Sequence, residues 1–402
     1  MAEIIIISLL LILLAGFLVF KIGDMMAPWT VTVGVWLAIL LLFIGYGGTL
    51  EPLSIQFLWC VCIWVPILCI TAIITYYGLP SSENPTAILE PMQINQGFFM
   101  LFYTISLVCT PLYLYEIYKI IAMFGFDDLF FNLRILANSS DGDGLLRYVL
   151  NLNQALFIIA TWNYQQVGRI KYITILLANM LCAIAIMEKG FMFFLLFVTM
   201  FILYEKRKIK LGTILLWSIV IFFAFYAINN ARELDNQKED SNILDFFSMY
   251  ILSPSVAFGR VQEKLSEQFG TRTFAFFYAF LTKTGLGNFV VEKKLQDFVW
   301  VPIPTNVYTV FQPFFQDFGY KGVAFFASVY GVFSGWLYRM CKNGNAISKC
   351  LYAYVVEIFI LQFYQENLIL SLSILFQFLI VVVPVVQNFV HLNFNFRKGH
   401  AD

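Results

Sequence analysis

The chain has 402 residues, of which 60% are hydrophobic and only 12% charged, and its formal net charge is +0. A soluble chain of this length carries about one quarter charged residues, so the composition excludes a soluble globular enzyme. The balanced charge gives no basic field for nucleic acid, and what is left is an integral membrane protein.

Apolar runs near the length of about 20 residues that spans a bilayer recur from end to end. They lack period-two alternation. In lipid each backbone polar group must be satisfied internally, so such runs read as helices and not as a barrel. The expected fold class is all-α, a polytopic transmembrane helical bundle of about eleven spans, with ten to twelve as the outer limits. In chain order they fall near Ile4–Phe20, Pro28–Tyr46, Ile55–Tyr76, Phe98–Phe124, Asn151–Gln166, Ile173–Met187, Phe191–Tyr204, Leu211–Ile228, Tyr320–Tyr338, Cys350–Tyr364 and Leu368–Val386. Met1-Ala2-Glu3 offers no basic n-region, so the first run reads as a span and not as a cleavable signal peptide. Residues 1–402 form one membrane domain in this reading, and 229–319 is a large external loop within it.

Lys and Arg in short loops set the orientation. Glu205-Lys206-Arg207-Lys208-Ile209-Lys210 marks a cytoplasmic turn, and Arg169, Lys171, Arg339, Lys342, Lys349 and Arg397-Lys398 agree with it. The large loop and the turn Glu188-Lys189-Gly190 then face outward. Counting back leaves the amino terminus outside unless a further break occurs near Phe126–Arg147; that parity stays open. The seven cysteines lie in or beside spans without zinc spacing and read as small packing side chains.

Chemistry concentrates in and beside the loop. Lys189 and Arg232 are cations at the outer headgroup level, and Arg260 and Arg272 lie deeper in the loop. A guanidinium can grip phosphate oxygens with two parallel bonds. Each cation has a plainer reading, as a snorkelling lysine or a surface charge paired with a neighbour such as Glu233 or Asp235. Ser253-Pro254-Ser255 reads as a break in the helix before Arg260. Phe274–Phe280 and Phe298-Val299-Trp300 interleave aromatics with charge, which suits sugar rings as well as a loop lying in the interface. Asp317, in Gln316-Asp317-Phe318-Gly319, is either an outer-surface carboxylate available as a base or a cap for the next helix. Both histidines, His391 and His400, follow the last span on the cytoplasmic side, so an external base must be Asp or Glu.

Asn306-Val307-Tyr308, then Asp317-Phe318-Gly319, then Gly322 leading into an aromatic span with Gly331 and Gly335, resembles the oligosaccharide repeat-unit (O-antigen) polymerase family of bacterial membranes. Tyr250–Phe258 looks like the segment these proteins carry early in their large external loop. The resemblance covers roughly Glu188 to Tyr338, and it implies a GT-C-like fold in the bacterial cytoplasmic (inner) membrane. The implied reaction joins polyprenyl-diphosphate-linked repeat units into O-antigen or into capsular or exopolysaccharide. An acceptor hydroxyl attacks the anomeric carbon of the growing chain and polyprenyl diphosphate leaves. Lys189, Arg232, Arg260 and Arg272, in descending order, would stabilise the departing diphosphate. Asp317 first, and Asp235 second, would take the hydroxyl proton. Tyr308, Asn306 and Trp300 would meet sugar. The resemblance calls for no cofactor and no metal, and it implies a chain-length regulator and a flippase as partners. Lys189 stands where many relatives have Arg, and the external His of the related ligases is absent. The alternatives are a flippase or other transporter for the same lipid-linked units, or another lipid-linked glycosyltransferase such as a ligase.

Overall fold

The computed structural model describes residues 1–84, 86–124, 144–186, 189–210, 243–263, 268–292, 296–301 and 304–387, with a few isolated positions besides. The expected span Leu211–Ile228, the candidates Arg232 and Asp235, and both histidines lie outside the described residues. What is described is almost wholly helical: α1 (Ala2–Phe17), α2 (Pro28–Tyr46), α3 (Ile55–Gly78), α4 (Gln96–Phe124), α5 (Val149–Trp162), α6 (Tyr164–Val167), α7 (Arg169–Ile186) and α8 (Lys189–Glu205). They are followed by α9 (Ile243–Ala257), α10 (Ala275–Lys283), a two-residue hairpin of β1 (Val299–Trp300) and β2 (Pro304–Thr305), α11 (Gln312–Lys342), α12 (Ala346–Ile360) and α13 (Leu372–Val386). Among the described residues six helices are long and apolar enough to cross a membrane: Ala2–Phe20, Pro28–Tyr46, Ile55–Gly78, Gln96–Met123, Arg169–Ile186 and Ala346–Phe363. The protein is an all-α membrane protein. None of the seven cysteines is in a disulfide, and five of them are buried.

The chain forms two compact units. The first comprises Met1–Glu83, Glu239–Lys342 and Val355–Ser373. Its centre is α3 against α11. A Cβ on Gly331 would stand 1.9 Å from Thr71 Oγ1 and 2.6 Å from Leu68 O, and one on Gly335 would stand 2.3 Å from Ala72 O. These two glycines, four residues apart on one face, let the backbones touch, which is how helices associate where no water is available to drive them together. Around this seam Trp36 stacks on Phe311 at 4.6 Å and Phe314 on Phe326 at 4.3 Å. Gln362 sits among these rings, 1% exposed. Its Oε1 accepts from the indole nitrogens of Trp36 (3.3 Å) and Trp64 (2.9 Å), and its Nε2 donates to Thr32 Oγ1 (2.9 Å).

The second unit comprises Asn84–Lys238, Asn343–Tyr354 and Ile374–Asp402. Asn153, fully buried on α5, ties three helices together: its Oδ1 accepts from Ser106 (2.6 Å) and its Nδ2 donates to Thr110 (3.0 Å), while Asn179 on α7 donates to its backbone carbonyl (2.9 Å). The Lys206 ammonium donates to the carbonyls of Thr161 (3.2 Å) and Trp162, at the free carbonyl end of α5. Glu116 and Lys119 do not pair, although they share a helical face; the Lys119 ammonium lies 4.7 Å from the Tyr115 ring centroid.

Three boundaries differ from the sequence reading. The run Asn151–Gln166 is broken at Asn163, which has non-helical backbone (φ −117°, ψ 34°), into α5 and α6. Ser253-Pro254-Ser255 does not end a helix: α9 runs through Pro254 to Ala257, and the hydroxyl of Ser253 donates to the Tyr250 carbonyl that Pro254 cannot serve (3.4 Å). The helix expected from Tyr320 does start there, but a short helical stretch from Gln312 precedes it, and the two meet at a kink on one non-helical residue, Gly319 (φ 61°, ψ −152°). Only glycine takes that conformation without strain.

Candidate functional site

The site is built from three stretches of the first unit. A single 3-10 turn, Phe258–Arg260, follows α9 and hands the chain to Val261-Gln262-Glu263. Gln56 Nε2 fastens this turn to the start of α3 by donating to the carbonyls of Phe258 (3.4 Å) and Val261 (2.8 Å). The hairpin and the residues after it supply Val299 and Tyr308, and the first turns of α11 supply Gln312 and Gln316. Together with Gln296 these residues line a cavity of about 340 Å³. Its polar lining is one guanidinium (Arg260), one carboxylate (Glu263), one phenol (Tyr308) and four amides (Gln262, Gln296, Gln312 and Gln316).

The connection into α11 is forced. Thr309, a β-branched residue, has φ 68° and is 1% exposed. A left-handed conformation in such a residue costs roughly 1–3 kcal/mol and persists only where its surroundings fix it. Here Thr309 N donates to Tyr364 O (3.0 Å) and Val310 N to Gln362 O (2.8 Å). The strain turns Tyr308 and Gln312 toward the same space. The Tyr308 hydroxyl donates to the Asp297 carbonyl at 2.8 Å. Burial, helped by Asp297, pushes that phenol up from its ordinary value, while Arg272 opposes the shift.

The residues expected from the sequence divide into groups. Arg260 and Tyr308 line the cavity. Arg260 Nη2 also donates to both oxygens of Glu51, at 2.7 and 2.8 Å, in an exposed pair. Asn306 lines a smaller recess that shares Gln296, Tyr308 and Gln312 with the cavity. Trp300 is 70% exposed on β1, opposite Pro304, while its neighbour Val299 lines the cavity. Lys189 begins α8, in the second unit.

Arg272 and Asp317 meet each other beside the cavity. The Asp317 carboxylate accepts the backbone N–H groups of Arg272 (3.1 Å) and Thr273 (2.7 Å), and so clips the 271–273 turn to α11. The Arg272 side chain pairs with Glu292 at 3.3 Å. Burial pulls its guanidinium down from the ordinary value, and Glu292 and Asp317 pull it back up. Asp317 therefore reaches across to another segment and does not cap its own helix.

Two carboxylates escaped the sequence reading. Glu263 lines the cavity, and a Cβ on Gly319 would stand 2.5 Å from its Oε1, so this carboxylate occupies the space that the glycine leaves open. Glu366, 2% exposed, lines the recess. The polar triplet Gln365-Glu366-Asn367 between two apolar runs was the signal available for it. Among the described residues no group of three or more His, Cys, Asp or Glu is placed to hold a metal ion. The cavity can hold a hydroxyl-rich, part-anionic ligand: amides and a phenol exchange hydrogen bonds with hydroxyls, and Arg260 offers a positive edge.

No protein-family model matches the chain, and no solved structure matches it. The chain is similar to a protein of Escherichia coli (strain K12) described as "Putative O-antigen polymerase", with 30% identity over 147 residues. The match spans 35% of this chain and 36% of that protein, about a third of each.

Proposed function

We infer that this protein lengthens a bacterial surface polysaccharide, joining polyprenyl-diphosphate-linked repeat units at the outer face of the cytoplasmic membrane. The observation that carries the reading is the amide-rich cavity, with one guanidinium and one carboxylate in its wall, on a chain of membrane-length helices. The similarity to the Escherichia coli protein supports the same class of reaction. In the step, the acceptor hydroxyl oxygen forms a bond to the anomeric carbon of the growing glycan. The bond from that carbon to the diphosphate oxygen breaks, and its electron pair leaves on the diphosphate. The hydroxyl proton passes to a carboxylate.

Glu263 is the carboxylate in the cavity wall and the first choice for that proton. Asp317 is assigned to hold the turn that carries Arg272, and Asp235 remains the second choice as base. Arg260 is the cation best placed for the diphosphate, in exchange for its exposed pairing with Glu51. Lys189, Arg232 and Arg272 are assigned to the same charge. Preorganised donors of this kind are worth about 3–4 kcal/mol each at a developing anion. Tyr308, Asn306 and the four glutamines hold sugar hydroxyls, and Trp300 offers an outer stacking face. Diphosphate departure supplies the driving force, so the reading requires no nucleotide. The expected partners are the lipid-linked donor and acceptor, a flippase that delivers them and a chain-length regulator.

The test is the glycan ladder of a strain without this gene, complemented by native protein or by Arg260→Ala. Loss of long chains with single repeat units still exported supports the reading, and so does failure of the variant to restore them. Trapping of all lipid-linked units on the inner side would instead mean a flippase.

A further inference from the structure

The chemistry assigned above leaves Glu366 unused. It is buried, yet among the described residues no Lys, Arg or His pairs with it. A buried carboxylate without a cation persists only where hydrogen bonds replace its water shell. Four donors do this. The N–H groups of Leu368 (2.7 Å) and Ile369 (2.8 Å) and the Tyr330 hydroxyl all point at Oε1, and the N–H of Leu370 (2.8 Å) points at Oε2. The distribution is uneven. An ionised carboxylate has about four lone-pair positions, two on each oxygen, so Oε1 is saturated while Oε2 keeps room for another donor.

Glu366 lines the recess together with Asn306, Gln312 and Gln365, and the free space there is about 10 Å³. That is the scale of a single water or hydroxyl. Because the recess shares part of its wall with the larger cavity, a ring bound in the cavity has this pocket at its side.

We propose that the recess is a subsite for one hydroxyl of a sugar ring, with Glu366 Oε2 as its acceptor. The proposal rests on the glycan reading given above and adds a determinant of which sugar is accepted. A hydrogen bond to an ionised acceptor is roughly twice as strong as a neutral one. A site built around such a bond rejects an analogue that lacks the hydroxyl, because the buried acceptor is then left unpaired. Asn306 and Gln365 present amide groups around the same space and set the orientation of the incoming hydroxyl.

The test uses the full chain in lipid nanodiscs and the radiolabelled lipid-linked oligosaccharide fraction of its own source cells as the bound probe. Two competitors are compared: the free oligosaccharide released from that fraction by mild acid, and farnesyl diphosphate. Glu366→Gln is expected to weaken competition by the oligosaccharide at least about ten-fold and to leave farnesyl diphosphate within about two-fold. Asn306→Leu fills the recess without touching the four donors to Glu366 and is expected to give the same split, so the test stands if Glu366→Gln fails to fold. Oligosaccharide competition at native strength in the folded variants overturns the proposal. Equal weakening of both competitors also overturns it, since that is the mark of general damage. Native protein that binds neither competitor removes the glycan reading itself, and the subsite with it.

Discussion

Asp317 carries two roles that one pair of substitutions can separate. Its Oδ2 accepts backbone N–H groups from Arg272 and Thr273 at 3.1 and 2.7 Å, and the Arg272 N–H is shared with Oδ1 at 3.4 Å. Asp317→Asn can place its amide oxygen there and keep both bonds, losing only the charge assistance. A bond to a charged acceptor contributes about 1.5–3 kcal/mol against about 0.5–1.5 for a neutral one, so the loss is roughly 2–3 kcal/mol in all. Asp317→Leu strands two part-buried donors at about 1–3 kcal/mol each, or about 2–6 kcal/mol together. Thermal unfolding of the detergent-purified variants should order them native, Asn, Leu. In complemented cells the Asn variant should retain much of the polymer and the Leu variant little. A Leu variant that unfolds with the native protein would refute the clip. An Asn variant with native stability and no polymer would return Asp317 to the chemistry itself.

Three further outcomes are expected. Gly335→Ala brings a Cβ to 2.3 Å from the Ala72 carbonyl oxygen, an over-packing that costs about 1–3 kcal/mol, whereas Gly34→Ala meets open space; equal melting of the two would refute the close α3–α11 seam. Gln362→Leu leaves two indole N–H groups and the Thr32 hydroxyl unpaired, at about 1–3 kcal/mol each, and should abolish recovery of folded protein by size-exclusion chromatography. Burial and the neighbouring Lys349 push Lys206 down from 10.5 to about 8. Between those values the unfolded chain binds more protons, so this group makes stability rise with pH across that window. Amine-acylation of Lys206 should titrate near the lower value, and a midpoint at the ordinary one would mean that the carbonyls of Thr161 and Trp162 hold the charge against burial.

Membrane helices were the most legible part of the fold. Pro28 and Tyr46 bound α2 as read, since proline favours a first helical turn and Gly47 follows directly. Patterns that depend on compensation were not legible. Nothing local announces that the Ser253 hydroxyl will serve the carbonyl that Pro254 strands, or that the run Asn151–Gln166 will break at Asn163. At the site, Arg260 was named in advance because a charge stands out in an apolar chain, and Tyr308 and Asn306 because they belong to the stretch that carries the resemblance. Glu263 and Glu366 were passed over: one gains its meaning from the space above Gly319, the other from donors on two separate segments. The glutamines, the largest part of the cavity wall, carry no charge or motif by which to be noticed.

The Gln362 cluster also bears on how the chain is made. Thr32, Trp36 and Trp64 leave the ribosome early, and the amide that satisfies them follows 298 to 330 residues later. At about 5–20 residues per second, those groups wait roughly 15–60 seconds inside a nascent protein before their partner is synthesised. During that interval α2 and α3 carry polar atoms that lipid cannot serve. A product cut short before Gln362 never gains the amide that satisfies these groups.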